Sequence, residues 1–284
     1  TSGENLTGGY LIEIDAYAYS ESSMFVSKQG IPVTIKSPDD DEIVPAQSDY
    51  IRNFFNTMES AIFANNYTDA TNGYRKYLDL NSFLRFFIVG EFAGNTDTYW
   101  SVYMYKDRNS GKLFTGPIWD YDLAFDNDYR TYPINNLGNF IYASNGSVAE
   151  DSVRDMVTRI VTEDKDAHAR LNEIWEDACA NRGITEASLL EFLEEQRARL
   201  VESQELNFKR WKILNEYVHM NPAARGSYDA EVDAVADYIK NRITTFDYLL
   251  KTQIVLRITI IARMAPTLSQ FAPMTENSYC QRYP

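Results

Sequence analysis

The stretch SVYMYKDRNSGKLFTGPIWDYDLAF, residues 101–125, contains two aromatic-rich apolar runs on either side of the turn-forming residues DRNSGK. Two such runs flanking a turn predict a β-hairpin. The second run ends in Trp119, Asp120, Tyr121 and Asp122. Because a hairpin returns on itself, acids that stand at its two ends are expected to lie close together in space.

The segment before the hairpin predicts a helix buried in the middle of the domain. DLNSFLRFFIVGEFAGN, residues 79–95, opens with the capping residue Asp79, is apolar on nearly all sides and closes with a Gly-Asn stop. Asp97 follows in a short loop, 23 residues before Asp120. The order helix, acid, hairpin, acid therefore predicts that Asp97 and Asp120 are neighbours, with Asp122 as a third carboxylate beside them.

Carboxylates held together repel one another and raise each other's pKa unless a cation lies between them. A hard, oxygen-ligated ion such as Mg²⁺ or Mn²⁺ resolves this conflict, so one interpretation of Asp97, Asp120 and Asp122 is a metal site. The alternative is that Asp120 and Asp122 cap backbone N–H groups in the turn after the strand. The local pattern leaves both open.

The acids continue beyond the hairpin as Asp126 and Asp128, which raises the question of a calcium loop. An EF-hand loop counted from Asp120 requires an acid or Asn at its fifth position and Gly at its sixth, where this chain has Ala124 and Phe125. An EF-hand is therefore excluded, and a less regular calcium site remains an alternative.

The remainder of the chain predicts an α+β fold, with a small N-terminal antiparallel sheet followed by a mostly helical body that contains the central hairpin. GGYLIEID, MFVS and IPVTIK in the first forty residues have strand character. Residues 126–150 lack periodicity and predict a long loop, and the sequence after Ile254 has strand-like and then loop-like character. Helices are predicted at 46–64, 79–95, 150–163, 166–181, 185–205, 207–219 and 228–251.

Composition limits the classes of partner and chemistry. Lys plus Arg is 27 and Asp plus Glu is 41, giving a formal charge of −14, which argues against nucleic acid or an anionic membrane as the main partner. No run of 18 apolar residues predicts a transmembrane segment. The motifs of the common hydrolases are missing. Cys179 and Cys280 are the only cysteines, and either a disulfide that clamps the tail or two free thiols fit the sequence.

A longer stretch, NTDTYWSVYMYKDRNSGKLFTGPIWDYDLAFDND, resembles the signature of the CotH (spore-coat protein H-like) kinase family. That signature has an Asn-x-Asp segment, a Tyr-x-Tyr strand and a strand end of the form Pro-x-Trp-Asp-x-Asp. The resemblance extends to GGYLIEID, to IPVTIKSPDDDEI, to YLDLNSFLRFFIVGEFAGN and to the late helix at NRITTFDYLL, so that it covers about residues 8–251.

The resemblance implies an atypical kinase-like fold that uses ATP and Mg²⁺ or Mn²⁺ to phosphorylate Ser or Thr of a protein substrate. It implies a bacterial protein that is secreted or attached to the cell surface, with a lipid anchor as one means of attachment. Carried onto this chain, it implies that Asp97 is the catalytic acid, that Asp120 and Asp122 bind metal, and that Asn95 and Ser101 contact the cofactor. Family members often have Asn at the position of Ser101, and a serine hydroxyl is a weaker metal ligand.

The chain also departs from a complete kinase. PVTIK, residues 32–36, superficially copies the Val-Ala-Ile-Lys strand of kinases, but the resemblance places it after the junction between the lobes. The expected domain therefore spans residues 1–254 with an incomplete N-terminal lobe, followed by a C-terminal extension at 255–284. The alternative function is a non-catalytic surface module that binds carbohydrate or protein through aromatic residues at Tyr99, Trp100 and Tyr103.

Overall fold

The computed structural model describes residues 2–133, 138–144, 146 and 149–264, with side chains as far as residue 252. Five strands and eight α-helices occupy these residues, so the fold is α+β, as the sequence predicts. The strands are β1 (Tyr10–Ile14), β2 (Met24–Val26), β3 (Pro32–Ser37), β4 (Val102–Lys106) and β5 (Phe114–Thr115). The helices are α1 (Glu4–Thr7), α2 (Pro45–Phe63), α3 (Leu80–Ala93), α4 (Asp151–Val157), α5 (Lys165–Asn181), α6 (Glu186–Arg199), α7 (Val201–Arg210) and α8 (Tyr228–Met264).

All five strands belong to one antiparallel sheet in the order β2-β3-β1-β4-β5. The predicted N-terminal sheet and the predicted hairpin are therefore continuous, because β1 pairs with β4 and places Ile12 opposite Met104. Side chains alternate between the two faces of a sheet. Ile12 and Met104 lie in the core, whereas Glu13 and Tyr103 lie opposite each other on the other face.

The hairpin is confirmed, but its second strand is shorter than the apolar run in the sequence. β5 ends at Thr115 because Gly116, with φ of 128°, and Pro117 follow it, and proline has no N–H for the ladder. Asp120 and Asp122 consequently lie in an irregular segment beyond the strand. The backbone of Asp120 has a left-handed φ of 61°, which turns the chain at this residue.

Helix α3 is the buried helix that the sequence predicts. The Asp79 side chain accepts a hydrogen bond from the Ser82 N–H at 2.8 Å, and Gly94 closes the helix with a left-handed φ of 66°. Gly90 is required because a Cβ there would come within 2.2 Å of the Thr98 side chain. The hairpin packs against this helix, and the Thr115 N–H donates to Ser82 Oγ at 3.1 Å.

Helix α8 anchors the helical body. It is one continuous helix across the predicted range 228–251 and continues to Met264, so the predicted strand-like character after Ile254 is wrong for residues 255–264. Phe246 is fully buried and contacts the rings of Phe92, Phe140 and Trp175. None of the helices in the described part of the chain has the length and apolar composition needed to cross a membrane.

Two helix predictions between residues 185 and 219 are wrong. The predicted helix 185–205 is interrupted at Leu200, where α6 gives way to α7. The predicted helix 207–219 is wrong beyond Arg210, where α7 ends and Trp211 has extended φ and ψ of −112° and 97°. Cys280 and the part of the predicted extension beyond Met264 lie outside the described residues, so the pairing of Cys179 with Cys280 stays a prediction.

Candidate acidic site at the ends of the hairpin

The ends of the hairpin meet, and they bring the predicted acids together. Trp119 Nε1 donates a hydrogen bond to the Ser101 carbonyl at 3.0 Å and ties the segment before Asp120 to the start of β4. Partial burial, and then the carboxyl groups of Asp122 and Asp97, raise the pKa of Asp120 above its ordinary value. Asp97, Asp120 and Asp122 are therefore electrostatic neighbours, although a turn rather than a continuing strand positions Asp122.

Asn95 shapes the loop that carries Asp97. It is buried, and its side-chain oxygen lies 3.4 Å from the Asp97 N–H that donates to it. Its carbonyl accepts hydrogen bonds from the N–H and the hydroxyl of Thr98, at 3.1 and 2.7 Å. These bonds close a tight turn around Asp97, so in this structure Asn95 orients the acid.

Two residues that the sequence interpretation did not single out for this site hold Asp97 in place. Arg130 Nη2 donates to Asp97 Oδ2 at 3.0 Å, and Arg130 Nε and Nη2 both donate to the carboxylate of Asp128, which is fully buried. Although burial opposes it, hydrogen bonds to Asp128 and Asp97 raise the pKa of Arg130. The Asp128 carboxylate is thus engaged in an ion pair with Arg130 and is not available as a ligand of the irregular calcium site that the run of acids suggested.

One oxygen of Asp97 has no hydrogen-bond donor in the part of the chain that the structure describes. Asp97 Oδ1 is buried and receives no hydrogen bond from any described residue, whereas Oδ2 is bound by Arg130. Leaving a carboxylate oxygen without a donor is unfavourable unless another group approaches it. The carboxylate of Asp97 therefore has one oxygen held by Arg130 and one buried oxygen that receives no hydrogen bond from the described residues.

Ser101, the predicted cofactor ligand, is hydrogen-bonded to Glu13, which lies on the face of the sheet opposite to Ile12. With a left-handed φ of 76°, it donates its hydroxyl to Glu13 Oε1 at 3.2 Å. Glu13 is buried and forms an ion pair with Lys36 at 3.4 Å, and Lys36 also pairs with Glu21 at 3.2 Å. Lys36, the residue of the kinase-like PVTIK sequence, is engaged by these two glutamates.

Glu91, a buried acid of α3, is hydrogen-bonded to Tyr99, which follows Asp97 by two residues. Glu91 is fully buried in α3 and accepts hydrogen bonds from the Tyr99 hydroxyl at 2.6 Å and from the N–H groups of Ile141 and Tyr142. Burial raises the pKa of Glu91 to about 7 although these donors oppose the shift. Tyr99 is therefore a core residue, and the prediction that it belongs to an exposed aromatic face is wrong; Trp119 is the exposed aromatic residue that contacts Tyr103.

The carboxylates of Asp120 and Asp122 match one of the ways in which proteins bind divalent cations. Within the described ranges, no group of three or more Asp, Glu, His or Cys side chains is arranged as a complete metal site. Mg²⁺ is commonly held by one or two carboxylates together with waters and substrate phosphates rather than by an all-protein cage. The neighbouring carboxylates of Asp120 and Asp122 fit this mode of binding. Burial, and then the carboxyl group of Asp122, raise the pKa of Asp120.

An apolar groove of about 1170 Å³ adjoins the acids. It is lined by residues of α3, α5, α6 and α8 and by Ile118 and Tyr121, which lie on either side of Asp120 in the sequence. Val89, Ile118 and Phe192 contribute exposed apolar surface to it. The groove is thus large, open and continuous with the segment that carries Asp120 and Asp122.

A buried helix, an acid in the loop after it, a hairpin and a second acid at the hairpin's end follow one another in the order in which protein kinases place their catalytic and metal-binding acids. The family model described as CotH kinase protein matches residues 3–246, and the chain belongs to the CotH kinase family. No curated protein and no solved structure matches the chain.

Proposed function

We propose that this domain transfers the γ-phosphoryl group of ATP to a Ser or Thr hydroxyl of a protein outside the cytoplasm. The observation that carries the proposal is the convergence of Asp97, Asp120 and Asp122 at the two ends of one hairpin. Membership of the CotH kinase family supports a kinase-like reaction in general. The apolar groove beside Tyr121 supports a polypeptide as the acceptor, because it exceeds the usual size of a small-molecule pocket.

In this proposal Asp97 orients the acceptor and receives its proton. Arg130 holds Oδ2, and the buried Oδ1 has no donor among the described residues, so Oδ1 is the oxygen proposed to receive the proton of the acceptor hydroxyl. The hydroxyl oxygen forms a bond to the γ-phosphorus while the bond from that phosphorus to the bridging oxygen breaks. The hydroxyl proton passes to Asp97, and ADP leaves with the electron pair of the broken bond.

Asp120 and Asp122 are proposed to hold the divalent cation, Mg²⁺ or Mn²⁺. When bound, this ion supplies positive charge to the phosphate oxygens of the nucleotide. Asn95 has the role of keeping the Asp97 turn closed, and Ser101 has the role of a weak cofactor contact whose hydroxyl can exchange Glu13 for a new partner.

The proposal is tested by calorimetric titration of Mg²⁺ and of Mn²⁺, each with and without ATP, into wild type and Asp120→Asn. Loss of one metal-binding carboxylate is expected to weaken binding of metal and ATP by roughly tenfold or more. Asp107→Asn is the matched control, because Asp107 is an exposed acid at the opposite end of the same hairpin. Equal binding by wild type and Asp120→Asn would contradict the metal site, and metal-independent binding of proteins or carbohydrates would favour the non-catalytic surface module.

A further inference from the structure

A site built only from carboxylates repels the phosphate group that it must bind. Asp97, Asp120 and Asp122 are all acidic, and the transferred phosphoryl group is also negative. A metal ion offsets part of this charge, and proteins that transfer phosphoryl groups commonly add an arginine. Within the described ranges, Arg130 is the basic side chain that contacts this acid cluster, through Asp97.

Hydrogen bonds to Asp128 hold the guanidinium of Arg130 in position. Its Nε and Nη2 form a forked pair of hydrogen bonds to the buried carboxylate of Asp128, at 3.0 and 2.5 Å. The same Asp128 carboxylate accepts the Arg130 backbone N–H at 2.9 Å. Beside them, the hydroxyls of Thr96 and Thr131 are 2.6 Å apart and join the Asp97 loop to the Arg130 segment. These contacts fix the plane and the position of the guanidinium relative to Asp97.

One nitrogen of the Arg130 guanidinium has no hydrogen-bond acceptor among the described residues. An arginine side chain has five N–H donors, and those of Nε and Nη2 are directed to Asp128 and Asp97. No described residue accepts a hydrogen bond from Nη1, and the side chain keeps 19% of its surface exposed. Two N–H groups are therefore held next to the proposed acceptor site and are accessible to a ligand.

We propose that Arg130 is a catalytic residue that binds the transferred γ-phosphoryl group through Nη1, while Asp128 and Asp97 hold the guanidinium in position. The inference rests on the proposed function, because it names the group that the same site would contact. It requires no movement of the Asp97–Arg130 ion pair, since the donors that it uses are not engaged by Asp97 or Asp128.

A residue that contacts only the γ-phosphate contributes to the binding of a nucleoside triphosphate and not to that of the diphosphate. Replacing Arg130 with Met removes the contact and the charge, whereas Arg130→Lys keeps the charge and loses the planar fork. A hydrogen bond from a charged donor corresponds to roughly a 10- to 100-fold change in affinity.

The experiment measures the affinities of ADP and of the non-hydrolysable imido analogue of ATP by calorimetry in the presence of Mg²⁺. The proteins are the full chain as wild type, Arg130→Met, Arg130→Lys and the control Arg197→Met. Arg197 is a matched arginine in an ion-pair cluster, with Glu194, Asp229 and Asp233 as partners. Thermal melting identifies any variant that fails to fold, and Arg130→Lys then provides the measurement.

The expected result is a 10- to 100-fold weaker affinity for the ATP analogue in Arg130→Met, a smaller loss in Arg130→Lys, and unchanged ADP affinity in both. Arg197→Met should match wild type for both nucleotides. An equal loss for both nucleotides in the Arg130 variants would show a structural role and overturn the inference, as would no loss at all. If wild type binds neither nucleotide, the proposed function itself fails, and the inference fails with it.

Discussion

Replacing Glu91 with Gln should remove a component of the pH dependence of stability that comes from one buried carboxyl group. Glu91 is fully buried beneath the Asp97 loop, and burial raises its pKa from an ordinary value of 4.5 to about 7. The folded protein therefore keeps a proton that the unfolded chain releases between these pH values. The free energy of unfolding accordingly falls as the pH rises through this window and levels off above about pH 7.

The size of the effect follows from the difference between the two pKa values. Each pH unit within the window is worth about 1.4 kcal/mol, so ionising Glu91 in the folded state costs about 3 kcal/mol once the pH is above 7. Part of this cost is already present at pH 5. Raising the pH from 5 to 8 should therefore lower the stability of wild type by about 2 to 3 kcal/mol more than that of Glu91→Gln.

The assay is urea unfolding at several pH values between 5 and 8, followed by tryptophan fluorescence. The other titrating groups are common to both proteins, so the difference between their pH profiles isolates residue 91. Gln retains an acceptor for the Tyr99 hydroxyl but presents an N–H₂ group toward the backbone N–H of Ile141, which makes the variant less stable by about 1 to 3 kcal/mol at low pH. Parallel pH profiles for the two proteins would refute the reasoning.

Two further predictions concern the packing of the helical body. Asp164→Ala should lower the free energy of unfolding by about 3 kcal/mol, because Asp164 is buried, caps α5 and forms an ion pair with Arg75 at 2.5 Å. The control is Asp166→Ala, which should lower it by less than about 1 kcal/mol because the side chain of Asp166 is 87% exposed. Phe246→Ala should cost about 3 to 5 kcal/mol because Phe246 is fully buried among three aromatic rings, whereas the exposed Tyr248→Ala should change stability little. Urea unfolding measures both pairs, and equal costs within a pair would contradict the assigned contacts.

The parts of the fold that could be predicted from the sequence depend on local signals. The cap at Asp79 and the glycine stop at Gly94 define α3 within a few residues, and the turn residues define the hairpin. Because a hairpin joins its own ends, the nearness of Asp97 and Asp120 also follows from local sequence. The continuous helix over 228–251 follows from a long, regular apolar stripe.

The features that could not be predicted depend on partners far apart in the chain. Arg130 reaches Asp97 across 33 residues from a segment without periodicity, so no spacing rule indicates the pair. Glu91 is an ordinary polar residue in the sequence of α3, and its burial depends on donors at Ile141 and Tyr142, about 50 residues later. Likewise, nothing local shows that β1 and β4 pair and join the predicted N-terminal sheet to the predicted hairpin.

The proposed role of Asp97 is to accept the proton of a protein hydroxyl during phosphoryl transfer. The most direct measurement is transfer of radiolabelled phosphate from the γ position of ATP to a general acceptor protein such as casein, with Mg²⁺ present. Wild type and Asp107→Asn should transfer phosphate equally, and Asp97→Asn, which keeps an oxygen for Arg130, should be at least about 100-fold slower. Equal rates for wild type and Asp97→Asn, or no transfer by a wild-type protein that binds ATP and metal, would contradict the account.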